Sequence, residues 1–386
     1  MKKKLAVLLA AIMLLTACGN AATNGNENET NTEGDSVIIR GIICKTGPAA
    51  VYGNTTENGI LLAIEEINAE GGINGKLIDY KSDDDKADPT ESVTLYNKFV
   101  DEGAHAIVGP ITSKPAQAVA ENSVSDGIPI VTPTGTAAGI TEGKDNVFRV
   151  CFTDPLQGKI LANFAKNSLG ATTAAVMKNT SDDYSTGVAE AFKTQFESIG
   201  GEVVADEGYG KDDKDFRVQL TNIAAKNPDV VLIPEYYEND VLISAQAKDT
   251  GLESAIIGSD GWDGVLAVVA EGEESTFDNI CFTNHYSMQD TDELVQNFVK
   301  NYTEKYGEDP SSFSALGYDA VYIYKAAIEK AENLERETIV EAIKNVDYKG
   351  VTGNIKFGEN NNPIKPATII RILDGEYTFD SVVDPE

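Results

Sequence analysis

The stretch of residues 128–139, IPIVTPTGTAAG, changes character at its middle. Residues 128–131 form a short apolar run, which is typical of a buried strand in a parallel sheet. From Thr132 to Gly139 the stretch has only hydroxyl-bearing residues, glycine, alanine and one proline. Ligands collect at the carboxyl ends of parallel strands, because helix N-termini and loop amides converge there. The stretch therefore predicts a buried strand that leads into a small, oxygen-rich loop at a binding edge.

Strand-like and helix-like segments alternate on both sides of this stretch. Residues 57–69 have apolar residues at helical spacing and end before Gly71 and Gly72, and a second series with the same rhythm begins near Asp154. Alternation of this kind indicates α/β architecture with parallel sheets covered on both faces. We therefore expect two α/β lobes. The remaining third of the chain is too small for another domain, so we expect the chain to cross between the lobes more than once.

The N-terminus has the features of an export signal. Three lysines at positions 2–4 precede a short apolar run that ends in Leu-Thr-Ala-Cys at residues 15–18. This end resembles a bacterial lipoprotein processing site, and the alternative is a plain secretory signal with an incidental cysteine. We predict a signal peptide over residues 1–17, lipidation of Cys18 and a flexible tether over 18–36. The protein would then be lipid-anchored at the outer face of the cytoplasmic membrane, on the extracellular or periplasmic side.

Charge and motif content restrict the function. The formal net charge is −31, which argues against nucleic acid as a partner because phosphate binding needs clustered lysine and arginine. Only two histidines are present, and no nucleophile, metalloprotease or phosphate-binding motif occurs, so we expect no enzyme, no cofactor and no metal. The acidic run at residues 83–85 with Asp88 is interpreted as a solvated loop and a helix cap. Cys44, Cys151 and Cys281 are interpreted as buried hydrophobic residues.

The residues after the predicted strands suggest the chemistry of a ligand. The first series offers hydroxyls and free amides, whereas the second offers aromatic rings and the carboxylate of Asp260. Hydroxyls and amides can hold a carboxylate, and Asp260 can hold an ammonium group, so the combination fits an α-amino acid. Each serine or threonine could instead cap a helix, Asp260 could be a turn residue before Gly261, and the tyrosines could belong to the core.

Several stretches in order along the chain carry a family resemblance. They include AIEEINAEGGINGKLIDY at 63–80, DEGAHAIVGP at 101–110, FRVCFTDPLQGK at 148–159 and GYDAVYIYKAAIEKA at 317–331. The sequence resembles the type I periplasmic binding proteins of ABC transporters, in particular the branched-chain amino acid (leucine/isoleucine/valine) binding family, from about residue 37 to the end. The resemblance implies two Rossmann-like lobes joined by three crossovers near 150–153, 281–285 and 352–355. Lobe 1 would hold 37–150 and 284–352, and lobe 2 would hold 151–283 and 353–386.

The resemblance also implies the binding residues. They are Tyr52, Ser113, Thr134, Gly135, Thr136, Tyr184, Tyr236 and Asp260. Ser113 and Thr136 match residues that hold the ligand carboxylate, Thr134 or Gly135 supplies a carbonyl, and Asp260 matches an acidic residue that holds the ammonium. Lys114, Glu235 and Trp262 depart from the family pattern and are expected to reshape the side-chain pocket.

These matches imply a monomeric, non-enzymatic substrate-binding lipoprotein of an ABC importer. It would capture an α-amino acid, aliphatic, branched-chain or aromatic, and deliver it to permease and ATPase subunits. Two alternatives share the fold: binding of an amide, urea or aromatic acid, and service as the ligand-sensing subunit of a receptor.

Overall fold

The computed structural model describes residues 36–383. The predicted signal peptide, the lipidation site Cys18 and the tether up to residue 35 lie outside the described residues. Ser36, predicted as the end of the tether, is instead the first residue of a strand. No helix in the described part of the chain has the length and apolar character needed to cross a membrane.

Fourteen strands are present among the described residues. They are β1 Ser36–Ile43, β2 Leu77–Asp84, β3 Ala106–Val108, β4 Ile130–Thr132, β5 Val147–Arg149, β6 Thr173–Asn179, β7 Glu202–Tyr209, β8 Val230–Ile233, β9 Ala255–Gly258, β10 Cys281–Asn284, β11 Asp347–Gly350, β12 Gly353–Lys356, β13 Ala367–Leu373 and β14 Glu376–Val383. The first sheet has the order β2-β1-β3-β4-β5 and is parallel throughout.

The second sheet has the order β14-β13-β10-β9-β8-β6-β7. Its five strands from β10 to β7 are parallel, and the C-terminal hairpin of β13 and β14 adds two antiparallel strands at one edge. A separate antiparallel hairpin joins β11 to β12. The two alternating series of the sequence thus build two mostly parallel sheets, as predicted.

Eleven α-helices occur in the same range. They are α1 Ala50–Ala69, α2 Pro89–Asp101, α3 Ser113–Ser123, α4 Asp154–Asn167, α5 Asp183–Ser198, α6 Arg217–Ala224, α7 Tyr237–Thr250, α8 Val265–Val268, α9 Glu293–Tyr306, α10 Ser312–Ile328 and α11 Arg336–Lys344. Helix α11 was not predicted from the sequence. Helix α10 packs along α1, where Gly59 and Gly317 allow close approach because a Cβ at either position would meet backbone of the other helix.

The acidic run at residues 83–85 is not the solvated loop that the sequence suggested. Asp83 and Asp84 belong to β2 and pair with Ile42 and Ile43 of β1. Asp85 is fully buried, and its carboxylate accepts a hydrogen bond of 2.8 Å from the Ser92 hydroxyl. The predicted cap is confirmed, since the Asp88 side chain accepts bonds from two amides at the start of α2.

The chain passes three times between the regions of the two sheets. The first passage follows β5 and the second follows β10. The third comes later than the resemblance implied, because Asn361 donates hydrogen bonds to carbonyls beside β5 and Phe357 packs on Phe148. We propose that the third boundary between the lobes lies at residues 363–366 instead of 352–353.

Lys365 is buried in this third passage. Its ammonium donates to the Val150 carbonyl at 3.2 Å, in the first passage, and to the Thr352 hydroxyl at 2.7 Å. The same hydroxyl donates to the Asp319 carboxylate at 2.7 Å. A single buried cation therefore connects two of the passages on which relative movement of the lobes would depend.

Candidate functional site

The carboxyl edges of the two parallel sheets face each other across a narrow cavity. Its lining comprises Tyr52, Ile111, Thr112, Ser113, Thr134, Thr136, Tyr184, Tyr236, Asp260, Gly261 and Phe313. Seven of the eight residues predicted from the sequence are among them, and Gly135 is not. Each comes from the segment that follows a parallel strand, except Phe313 at the start of α10. The topology thus brings residues more than 200 positions apart to one place.

On the side formed by the first sheet, the cavity is lined by hydroxyl-bearing residues whose loops are held in place by hydrogen bonds. The Ser113 hydroxyl oxygen accepts hydrogen bonds from the amides of Thr136 and Ala137, both at 3.2 Å. The Thr134 hydroxyl donates to the Ile111 carbonyl at 2.5 Å, so it is already engaged. Thr112 precedes α3 without a side-chain capping bond. Helix capping, the alternative interpretation of these hydroxyls, therefore does not describe Thr112 or Ser113.

The Gly135 carbonyl faces away from the cavity. It accepts a hydrogen bond of 2.8 Å from the guanidinium of Arg149, and the Cys151 thiol lies 3.2 Å from the same oxygen. A side chain at this position would have its Cβ 2.8 Å from the Thr132 hydroxyl oxygen. Gly135 therefore shapes the loop from behind.

Asp260 stands at the opposite side, within a buried polar network. One carboxylate oxygen accepts a hydrogen bond of 3.1 Å from the side-chain amide of Gln157, and the other lies 3.1 Å from Nε2 of His285. Gln157 in turn bonds the Asp154 carboxylate at 3.1 Å. Burial lowers the pKa of His285, so its neutral ring can donate to Asp260 without cancelling the carboxylate charge.

Asp154 is a second buried acidic side chain in this network. Burial, followed by the charge of Asp260, raises the pKa of Asp154 well above its usual range. One of its oxygens has no hydrogen-bond partner among the described residues, which fits a protonated acid. Of the two acidic side chains, Asp260 is the one that lines the cavity.

Aromatic rings form the wall between these two polar ends. Tyr184 and Tyr236 stack with centroids 5.0 Å apart, and Tyr52 stacks on Phe313 at 4.4 Å. The Tyr184 hydroxyl lies 2.5 Å from the Ser259 hydroxyl and accepts from the Gly261 amide at 2.9 Å. The Tyr184 hydroxyl is thus satisfied by the protein, and the ring faces remain for an apolar ligand side chain.

Tyr52 also connects the two sides of the cavity. Its hydroxyl donates to the Gly261 carbonyl and accepts from the Tyr237 amide at 3.0 Å. Tyr52 lies on α1, which follows β1 of the first sheet. Its partners Tyr237 and Gly261 follow β8 and β9 of the second sheet. These bonds hold the cavity closed.

The closed cavity has a volume of only about 10 Å3, which is room for one water molecule. Wider clefts of about 460 Å3 and about 250 Å3 adjoin it. The larger is lined by Val51 and Ser312, the sequence neighbours of Tyr52 and Phe313, and the smaller shares Thr112 and Tyr236. An amino acid can therefore enter only if the rings on the two sides move apart.

The three residues expected to reshape the pocket lie elsewhere. Trp262 is fully buried, and its indole donates to the Ile233 carbonyl at 2.8 Å. Glu235 is buried, and its carboxylate accepts a hydrogen bond of 2.5 Å from the Tyr209 hydroxyl. Glu235 and Lys114 line the cleft of about 250 Å3.

Four residues of the site escaped the sequence interpretation: Phe313, Gln157, His285 and Arg149. Phe313 lies in an apolar helix whose pattern resembles any buried helix. Gln157, His285 and Arg149 meet the site only through tertiary contacts, so no local pattern marks them. Among residues 36–383, no cluster of histidine, cysteine, aspartate and glutamate suitable for a metal ion occurs.

The opposed edges, the closing bonds and the two polar ends define a two-lobed ligand-binding protein. The family model "Periplasmic binding protein" matches residues 39–376, and the chain belongs to this family. The predicted family and the predicted two-lobe α/β fold are thereby confirmed.

Relatives of known ligand resemble the chain over most of its length. A Leu/Ile/Val-binding protein from Rhizobium johnstonii is 31% identical over 328 residues, which is 82% of this chain and 86% of that protein. A leucine-binding protein from Thermotoga maritima is 33% identical with a TM-score of 0.85, covering 90% of this chain and 99% of its own. The branched-chain amino acid transporter substrate-binding protein of Streptococcus pneumoniae, solved with isoleucine, is 32% identical with a TM-score of 0.83 and the same coverage.

Proposed function

We propose that the protein binds an α-amino acid, aliphatic, branched-chain or aromatic, between its lobes and delivers it to an ABC importer. The observation that carries the proposal is the pairing of opposite polar ends across one cavity. Ser113 and Thr136 offer hydroxyl groups on one side, and the Asp260 carboxylate stands on the other. A ligand with a carboxylate and an ammonium on one carbon satisfies both ends, and a ligand lacking either leaves a buried polar group unpaired.

The ring faces between the ends favour an apolar side chain. Tyr184, Tyr236, Tyr52 and Phe313 present aromatic surface, and no lysine or arginine lines the cavity in the described structure. Relatives that bind leucine, isoleucine and valine support the same conclusion.

A binding role without catalysis accompanies this proposal. His285 contacts the Asp260 carboxylate, and no hydroxyl of the cavity lining bonds a histidine within residues 36–383. The nucleophile–base pairing of a hydrolase is therefore not assembled there. We propose that the partners are permease and ATPase subunits and that the protein acts as a monomer.

A thermal-melt screen of the purified protein tests the ligand class. The ligands are leucine, isoleucine, valine and phenylalanine, each beside its amide and its decarboxylated amine. A ligand present at about 100 times its Kd adds about 2.7 kcal/mol of stability, which raises the melting temperature measurably. We expect shifts with intact amino acids and much smaller shifts with both derivatives.

The alternative ligands give different results in the same screen. Equal shifts with an amino acid and its amide would favour an amide ligand and would contradict the carboxylate contact. Shifts only with ureas or aromatic acids would contradict the ammonium contact at Asp260. Loss of uptake of the labelled ligand on deletion of the gene would support the importer role over a sensing receptor.

We propose that lipidation of Cys18 anchors the protein at the outer face of the cytoplasmic membrane. The support is the sequence of residues 15–18 after the apolar run. Cells grown with an alkyne fatty acid should label the wild-type protein and leave Cys18→Ala unlabelled. Equal labelling of both proteins would contradict lipidation at this residue.

A further inference from the structure

Arg149, at the end of β5, is a buried cation without a carboxylate partner. Its side chain is fully inaccessible, and it forms no salt bridge within the described part of the chain. The guanidinium donates to the carbonyls of Gly135 at 2.8 Å and Ala137 at 2.9 Å, and to the Thr141 hydroxyl at 3.0 Å. Its Nε has no hydrogen-bond partner among the described residues. A buried charge is costly unless something compensates it.

The acidic groups nearest to Arg149 do not provide that compensation. Burial raises the pKa of the Cys151 thiol to about 12 and the pKa of Asp154 well above its usual range. Burial therefore favours the uncharged form of both groups. Arg149 is thus a cation behind the hydroxyl loop with no salt-bridge partner in the described part of the chain.

A chain of hydrogen bonds leads from this charge to the cavity. Arg149 bonds the carbonyl of the peptide unit that joins Gly135 to Thr136, and the amide of the same unit donates to the Ser113 hydroxyl oxygen at 3.2 Å. The Ala137 amide donates to the same oxygen at 3.2 Å. A hydroxyl has two acceptor sites and one donor, so Ser113 is left with its hydrogen to donate. Linked hydrogen bonds polarise one another, which strengthens that donor.

We propose that Arg149 is a positioning residue that makes the site selective for a carboxylate over its neutral amide. This inference rests on the proposed function, in which Ser113 meets the ligand carboxylate. The guanidinium never touches the ligand. It fixes the loop, polarises the peptide unit that bonds Ser113 and provides the counter-charge behind the carboxylate, just as Asp260 provides one for the ammonium.

The test compares two ligands across variants of one residue. Arg149→Met removes the charge at similar volume, and Arg40→Met is the matched control. Arg40 is a buried arginine of β1 that pairs with Asp79 at 3.1 Å, outside the cavity lining. For each protein, calorimetry gives the Kd of the amino acid that the wild type binds best and the Kd of its amide. The work is done near pH 6.5, where both ligand ammonium groups are protonated.

The decisive quantity is the ratio of the amide Kd to the amino acid Kd. A unit charge three hydrogen bonds away in a protein interior is worth on the order of a tenfold change in Kd. We expect the ratio to fall about tenfold in Arg149→Met and to stay at the wild-type value in Arg40→Met. A residue that only braces the loop would weaken both ligands equally and leave the ratio unchanged, which would overturn the inference.

If Arg149→Met does not fold, Arg149→Gln replaces it, because glutamine keeps a donor for the Gly135 carbonyl and removes the charge. The same fall in the ratio is expected, and a constant ratio overturns the inference. Failure of the proposed function looks different, since the wild type would then bind no α-amino acid.

Discussion

Replacement of Asp260 by asparagine is expected to abolish most binding of an α-amino acid. The substitution keeps the shape of the side chain and removes the only charge that faces the ammonium in the described cavity. The Asp260 side chain is 3% exposed, so water cannot replace the lost counter-charge. Breaking a buried ion pair costs about 3–5 kcal/mol. At about 1.4 kcal/mol per tenfold, Kd should rise between about 140-fold and about 3,700-fold.

Calorimetry with the preferred amino acid measures this change, and Asp240→Asn is the control. Asp240 is also a fully buried aspartate, on α7, but it does not line the cavity. Its variant should bind within about threefold of wild type. The deaminated ligand, which has no ammonium, should bind Asp260→Asn at least as tightly as wild type, because it leaves the buried wild-type carboxylate without a counter-charge. A Kd within about fivefold of wild type for the intact amino acid would refute the zwitterion assignment.

Three further predictions concern closure and stability. Tyr52→Phe removes the hydroxyl that bonds Gly261 across the cavity, so calorimetry should show ligand affinity lowered about fivefold to tenfold; an unchanged Kd would contradict the closing role. Asp240→Leu should raise the free energy of unfolding in urea at pH 7 by about 1–4 kcal/mol, and by less below about pH 4. Burial raises the pKa of this acid, which has no hydrogen-bond partner among the described residues, well above its usual range, so wild type loses stability as the acid ionises in the unfolded state. A lower free energy of unfolding in the variant at pH 7 would contradict this. Burial lowers the pKa of Lys365 to about 8, although the nearby acidic groups of Asp319 and Cys151 act in the opposite direction. The unfolded state therefore binds more protons than the folded state between about pH 8 and about pH 10.5. Wild-type stability relative to Lys365→Met should therefore rise across that interval, and a flat difference would count against it.

The alternation of strands and helices was predictable because strands covered on both faces must be apolar throughout. The run from Ile128 to Val131 has this character, and β4 lies within it apart from its last residue. The same rule located the carboxyl edges, which is why Ser113, Thr136 and Asp260 reach one cavity. Topology predicted the strand ends, and the family resemblance selected these residues among those that follow them.

The remaining features depend on contacts that no local pattern reveals. The late third passage depends on Asn361, which lies in the left-handed region at φ 55° and bonds carbonyls more than 200 residues earlier. Trp262 was expected near the ligand because it follows Asp260. The structure instead places its ring against Gly258, where a Cβ would lie 2.1 Å from it. Because Gly258 has no side chain, the indole can pack against its backbone in the core.

The three cysteines within the described range are expected to be unreactive while the chain is folded. Cys44, Cys151 and Cys281 are free and buried, and burial raises the pKa of each thiol. Since thiolates are the reactive form, oxidants and alkylating reagents can modify them only after the chain opens. Cys44 follows β1 of the first sheet, Cys281 begins β10 of the second, and Cys151 lies in the first passage between them. The order in which they become alkylated would therefore record which lobe opens first, with no engineered probe.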